Sequence, residues 1–355
     1  MLLSGANGVA QGLGWPAVTK MIRAWYPPTQ FGFWFAILTS AANGMSAVGP
    51  SIAAILSVHH GWQTAMHLPA LLAIATSPFI IFCTWDKPSD VGYEDQLTLG
   101  GAEHGHWSDM VGSDFLMLLV SSFGFLFVVK TSCSEWGQVY LVEEQGVPYY
   151  TAYGCFTSIE VGGVVGSVTL GGLTDFMIRR GYYFGSGRSP RMIVVQLCAA
   201  GSCLFLNTFI FGSDPETSKT FISVVAFCMG FCLYGGIALI GTIAIEVAPI
   251  HMTGAAHAII GLAANISSVI AGSPIQYMSQ VWDWFTAFML INITCLAAFL
   301  ILIVGKNVPA TYLEEPTDGP PRLREYFNNE QLAKFYTSVA LNHKQYLENV
   351  AYTLG

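Results

Sequence analysis

The chain has 355 residues, 53% of them hydrophobic and 10% charged, with a formal net charge of -8 and a mean hydropathy of +0.52. A soluble domain carries about 25% charged residues, so a water-soluble globular protein is excluded. No basic patch interleaved with aromatics points to nucleic acid.

Charge-free stretches run from Ala24 to Trp85, Met192 to Ser213, Thr220 to Ile245, Val247 to Trp282 and Trp284 to Gly305. About 20 such residues cross a bilayer. The fold class expected is therefore an all-α membrane protein with about nine transmembrane helices. Approximate limits are 1–19, 31–57, 63–84, 113–142, 150–177, 191–211, 220–245, 252–278 and 284–304. The polar, mostly acidic segment 85–112 divides the set. Residues 1–84 form a group of three helices, 85–112 a cytoplasmic linker, 113–305 a group of six, and 306–355 a polar tail without a span. Six helices after a long linker is half of a large class of transporters. Three before it is half of what that class needs, so the N-terminal half is expected to be incomplete.

Loop charge orients the helices. With Lys20 and Arg23 in the cytoplasm, alternation places Lys87, Arg179, Arg180, Arg188, Arg191 and Lys306 on the same side. Glu143, Glu144, Asp214, Glu216 and Asp283 fall on the other, with Lys219. The tail is then cytoplasmic. The eight cysteines are scattered without zinc spacing and read as small apolar side chains.

In chain order, the first helix offers Trp15 beside Pro16, a potential kink. The fourth carries Lys130 near its middle, where an ammonium is costly in lipid. Ser134 and Gln138 follow at four and eight residues, on the same face; Trp136 flanks it. A lysine in a wet cavity suits phosphate. The other reading is an ion pair with Glu135 or Glu160 that only joins helices. Glu160, in the fifth helix, is either that partner or a relay carboxylate. Gly162 and Gly166, four apart on the same helix, predict a close helix contact. Asp175 and Arg179 close the helix and either clamp neighbouring helices at the membrane face or are ordinary loop charges. In the eighth, His257 and Asn265 share a face with Gly261 between them. They line the cavity, or His257 serves a backbone carbonyl. Pro50 and Pro274 are candidate helix breaks. No nucleophile–base pair, phosphate loop or dinucleotide fingerprint is present, so no enzyme and no cofactor are expected.

The segments "GLGWPAVTKMIRAWYPPTQFGFWFAIL", "VVKTSCSEWGQVYLVEEQG", "EVGGVVGS", "GGLTD" and "TGAAHAI" together resemble the organophosphate:phosphate antiporters of the major facilitator superfamily. Within that family the likeness is to the glucose 6-phosphate transporters of the endoplasmic reticulum, and it runs to about residue 305. The resemblance implies twelve helices in two halves of six, of which these would be the fourth to twelfth. It implies exchange of glucose 6-phosphate for inorganic phosphate across the endoplasmic reticulum membrane, by alternating access. It also implies functional coupling to a glucose-6-phosphatase. Lys130, Trp136, Gln138, His257 and Trp15 fall on pocket positions, and "GGLTDFMIRR" on a cytoplasmic loop signature. The family's basic residues of the first helix have no counterpart here. A chain acting alone is thus expected to exchange poorly. The alternatives are an exchanger of another organophosphate, or a non-transporting regulatory membrane protein.

Overall fold

The computed structural model describes residues 2–27, 30–93, 110–182, 189–214, 216–248 and 252–305. Most of the expected linker and the whole tail lie outside the described residues. Ten helices are described: α1 Leu2–Trp25, α2 Phe31–His60, α3 Trp62–Cys83, α4 Asp114–Glu143, α5 Tyr149–Arg179, α6 Pro190–Phe211, α7 Lys219–Val247, α8 Thr253–Ala271, α9 Ser273–Val281 and α10 Trp284–Val304. There is no strand among the described residues. Eight stretches are long and apolar enough to cross a membrane, with α8 and α9 counted as one. The ninth expected span, α1, has the length, but its polar residues leave it less apolar than the rest.

Local chemistry sets the helix ends. Gly61, at a φ of 86°, turns α2 into α3. The Ser113 side chain caps α4 by accepting the Leu116 amide. Gly146 and Gly181 take positive φ just past α4 and α5, the left-handed stop that glycine adopts without a Cβ penalty. Asp283 caps α10 through the Thr286 amide at 2.5 Å.

The two proline expectations divide. The helix continues through Pro50. At Pro274 the expected single span 252–278 is instead two helices, broken at Gly272 and running on to Val281. Proline lacks the N–H that would have bonded back one turn.

One core runs through α4–α10, centred on buried Leu116, Leu126, Tyr140, Leu206, Leu233, Ile260 and Phe288. The tightest contact is α5 on α7. A Cβ on Gly162 or Gly166 would fall on the main-chain carbonyls of Phe227 or Phe231, and one on Gly230 on that of Ile159. Small residues let the two backbones touch, as the glycine spacing predicts. The α1–α3 group meets this body mainly through α1 on α8 and α2 on α5. No residue of α3 is buried.

Candidate functional site

Lys130 projects from the middle of α4 into the helical body. Its Nζ lies 4.7 Å from the centroid of the Tyr234 ring and 5.0 Å from that of Phe127. It forms no ion pair among the described residues. Aromatic faces hold a cation through their quadrupole, by about 0.5–2 kcal/mol. They do not neutralise it.

The carboxylate nearest in role, Glu160 on α5, is 2% exposed and engaged elsewhere. Its Oε1 accepts from the Tyr234 hydroxyl at 2.5 Å and from Ser134 Oγ at 3.1 Å. The two hydroxyls are themselves 3.1 Å apart. Oε2 has no hydrogen-bond partner. Ser134 and Glu160, both expected here, are thus brought beside Lys130. Tyr234, on α7, joins all three groups. Sequence reasoning missed it, although a lone phenol inside the apolar run from Thr220 to Ile245 is a usable signal, since a buried Tyr hydroxyl seeks a partner.

Three expected neighbours are placed differently. Trp136 does not wall the Lys130 cluster: its Nε1 donates to the Ala271 carbonyl at 2.8 Å, and its ring packs on Trp284 at 5.6 Å. The break at Gly272 freed that carbonyl, and the indole takes it up. Gln138 is half-buried and makes no hydrogen bond among the described residues. Asn265 is exposed on α8, apart from the cluster.

His257 lies where the two groups of helices meet. Its ring is 5.8 Å from Trp15 of α1 and 5.7 Å from Phe35 of α2. It is 8% exposed, and Nδ1 has no hydrogen-bond partner. No backbone carbonyl is bonded there, so the second reading of His257 gains no support from Nδ1.

At one end of the bundle the groups are clamped. Asp175 on α5 accepts the backbone N–H groups of Gly32 (3.2 Å) and Phe33 (2.7 Å), the first turn of α2. A carboxylate suits a helix N-terminus. Its ionic partner is Arg191 of α6, at 2.8 Å, not the expected Arg179. Arg191 also holds Glu246 through two bonds, of 2.6 and 2.9 Å, and Thr174 at 3.0 Å. Arg179 is exposed, since one turn further on its side chain is already beyond the packed end. A second clamp was not expected. Arg23 of α1 donates to the carbonyls of Ile245 and Ala248 and to Thr253 Oγ1, the last two at 2.8 Å. A guanidinium thus closes the C-terminal end of α7, the favourable end for a cation.

Away from this end several glycines of the two groups have no side-chain contact. A Cβ on Gly8, Gly12 or Gly14 of α1, on Gly44 or Gly49 of α2, or on Gly261 of α8 would meet nothing within 4 Å. A half-buried cation among helices long and apolar enough to cross a membrane fits a multi-pass membrane protein of transporter architecture. The chain belongs to the Major Facilitator Superfamily, whose family model matches residues 1–272.

Relatives narrow the neighbourhood. The chain is 26% identical over 324 residues to the membrane sensor protein UhpC of Salmonella typhimurium, covering 87% of this chain and 71% of that one. It is 24% identical to a probable hexose phosphate transport protein of Chlamydia pneumoniae, covering 84% and 69%. It is 23% identical to the glycerol-3-phosphate transporter of Bacillus subtilis, covering 85% and 69%. Among solved structures it is similar in fold to the major facilitator superfamily transporter FucP in its outward conformation. The TM-score is 0.55 at 13% identity, covering 82% of this chain and 72% of that one.

Proposed function

We propose that the protein exchanges a phosphorylated small molecule, of the hexose phosphate or glycerol phosphate class, for inorganic phosphate by alternating access. The observation that carries this reading is Lys130: a half-buried ammonium resting on two aromatic faces, with its nearby carboxylate already bonded by two hydroxyls. Such a cation keeps its charge available for an incoming anion. Ser134 adds a hydroxyl beside it. His257 and Trp15, where the two groups meet, form the floor of the substrate path in this reading, and Gln138 and Asn265 supply further amides along α4 and α8. Relatives named for hexose phosphate and glycerol-3-phosphate transport support this substrate class. Residues 1–84 and 113–305 act as the two moving units. Asp175 with Arg191 and Arg23 form the closed gate, with Arg179 outside it. The basic residues at that end support a cytoplasmic side there by the charge bias of membrane loops, the side on which this reading also puts the tail.

The narrower form of this reading is exchange of glucose 6-phosphate for phosphate across the endoplasmic reticulum membrane, feeding a lumenal glucose-6-phosphatase. It rests on the motif resemblance. The test uses vesicles loaded with phosphate and carrying the whole protein, offered labelled glucose 6-phosphate or glycerol 3-phosphate. Slow uptake by the unaltered chain, as expected of it acting alone, lost by about 100-fold in Lys130→Gln and partly kept in Lys130→Arg, is the expected result; truncating one partner of a desolvated charge contact costs about 2–5 kcal/mol. Full-rate uptake by Lys130→Gln overturns it.

A sensor is the second reading, favoured by the similarity to a membrane sensor protein. Saturable, Lys130-dependent binding of glucose 6-phosphate without any counterflow decides for it.

A further inference from the structure

A cavity lies where the C-terminal end of α4, the short α9 and the start of α10 meet, and Lys130 is not among its lining residues. It has a volume of about 540 Å³ and is lined by Trp136, Val139, Glu143, Glu144, Gln276, Ser279, Gln280, Asp283 and Trp284. That volume is within the range of small-molecule sites, about 300–1,000 Å³. We propose that this cavity binds a neutral polyhydroxy compound the size of a hexose, at the mouth of the protein and independently of the phosphate site.

Two features make it a built site. The indoles of Trp136 and Trp284 pack 5.6 Å apart with a tilt of 37°, and each is fixed by its own N–H. Trp136 donates to Ala271, and Trp284 donates to Glu143 Oε2 at 2.6 Å. Tryptophans that anchor a protein in the bilayer interface turn that N–H toward headgroups and water. Here Trp136 turns its N–H inward to a carbonyl and Trp284 gives its own to the exposed Glu143, and the immobilised rings offer a hard apolar platform to the C–H face of a sugar ring. An aromatic face is electron-rich and attracts such positive edges. Around the platform stand the amides of Gln276 and Gln280 and the hydroxyl of Ser279. Each amide carries donors and acceptors that match a diol.

The charges select against other ligands. Among the described residues no basic side chain lines the cavity, while Glu143, Glu144 and Asp283 do, so phosphate and phosphorylated sugars are repelled. An organic cation would use the carboxylates and the rings. Two of the three carboxylates are already engaged, however, Glu143 by Trp284 and Asp283 by the Thr286 amide. The neutral amide and hydroxyl lining has no role for a cation.

The experiment is saturation-transfer NMR on the purified full chain in detergent, with D-glucose, glucose 6-phosphate and tetramethylammonium as probes. Glucose is expected to show saturable transfer in the unaltered chain and equally in Lys130→Gln. Both Trp284→Leu and Gln280→Leu should weaken it about tenfold or more. Gln280 is exposed, so its variant keeps the fold and guards against a Trp284→Leu result that reflects misfolding. No saturable glucose signal below about 100 mM, weaker than any useful affinity, overturns the proposal. So does transfer unchanged in both variants, or tighter binding of tetramethylammonium than of glucose. Failure of the phosphate site would show instead as loss of glucose 6-phosphate transfer in Lys130→Gln.

Discussion

Glu160 offers two oxygens to its surroundings, and both of its donors, Ser134 and Tyr234, converge on one of them. The second oxygen is left without a hydrogen bond, while the Tyr234 ring that carries the bonded hydroxyl also faces the Lys130 ammonium. Coulomb attraction alone would draw the pair together. The phenol prevents it by holding the carboxylate with its hydroxyl and the ammonium with its ring. Tyr234→Phe separates these tasks, because the ring stays and the hydroxyl goes. A hydrogen bond to a charged group contributes about 1.5–3 kcal/mol. Freed of it, Glu160 turns to Lys130, and phosphate affinity is expected to fall about tenfold. In the double variant Tyr234→Phe/Glu160→Gln no carboxylate remains to compete, and affinity should return toward the original. Calorimetric titration with inorganic phosphate over the four-variant cycle reads the coupling directly. Additive losses would show that Tyr234 acts on the two charges separately.

Among the helices, α5 and α7 owe their contact to the absence of side chains. Glycine at 162, 166 and 230 brings each backbone onto the other's carbonyls. Gly163 faces the Tyr234 ring, where a Cβ would lie 2.6 Å from Cγ, so the same packing positions the polar cluster. Gly162→Ala is expected to lower stability by about 1–3 kcal/mol, the usual cost of overpacking. Gly261→Ala, on the open face of α8, should leave it unchanged or raise it slightly, since alanine is the better helix former by about 1 kcal/mol. Thermal unfolding in detergent distinguishes them. The close helix contact and the spans were legible in the sequence because both are local: a glycine spacing and an uncharged run. The association of Lys130, Ser134 and Glu160 was legible too, since charges inside a span must find partners or water. Less was legible where the partner is remote. Nothing near Asp175 announces that Arg191, across a turn and on another helix, outcompetes Arg179. Nor does the end of α1 reveal the carbonyls that Arg23 closes. Pro274 signalled a break, but Pro50 carried the same signal and its helix runs through it.

Across the whole molecule, contact between α1–α3 and the remaining helices is concentrated at the end that holds Arg23 and Asp175. The two latches are complementary. One group extends a carboxylate to the positive end of α2, and the other extends a guanidinium to the negative end of α7. Each helix end supplies a fixed partial charge, so the latches grip the main chain, and parting them exposes backbone groups that water can solvate. That suits a contact that must release. Asp175→Asn leaves Arg191 paired with Glu246, so the core of the α4–α10 group is kept while the grip on α2 weakens. Arg23→Gln removes the other latch. Each loss is of the order of 1.5–3 kcal/mol, and a two-state equilibrium shifts about tenfold for every 1.4 kcal/mol. The double variant is therefore expected to favour the opposite opening by more than either single change. A cysteine placed at Ala36, 1% exposed beneath the latched end, reports it through its rate of labelling by a charged maleimide. The rate should rise about tenfold or more in each single variant and further in the double. A rate that stays unchanged in both single variants would mean that apolar packing, led by Gly171 against Gly32 and Ala36, holds the end closed without the charges.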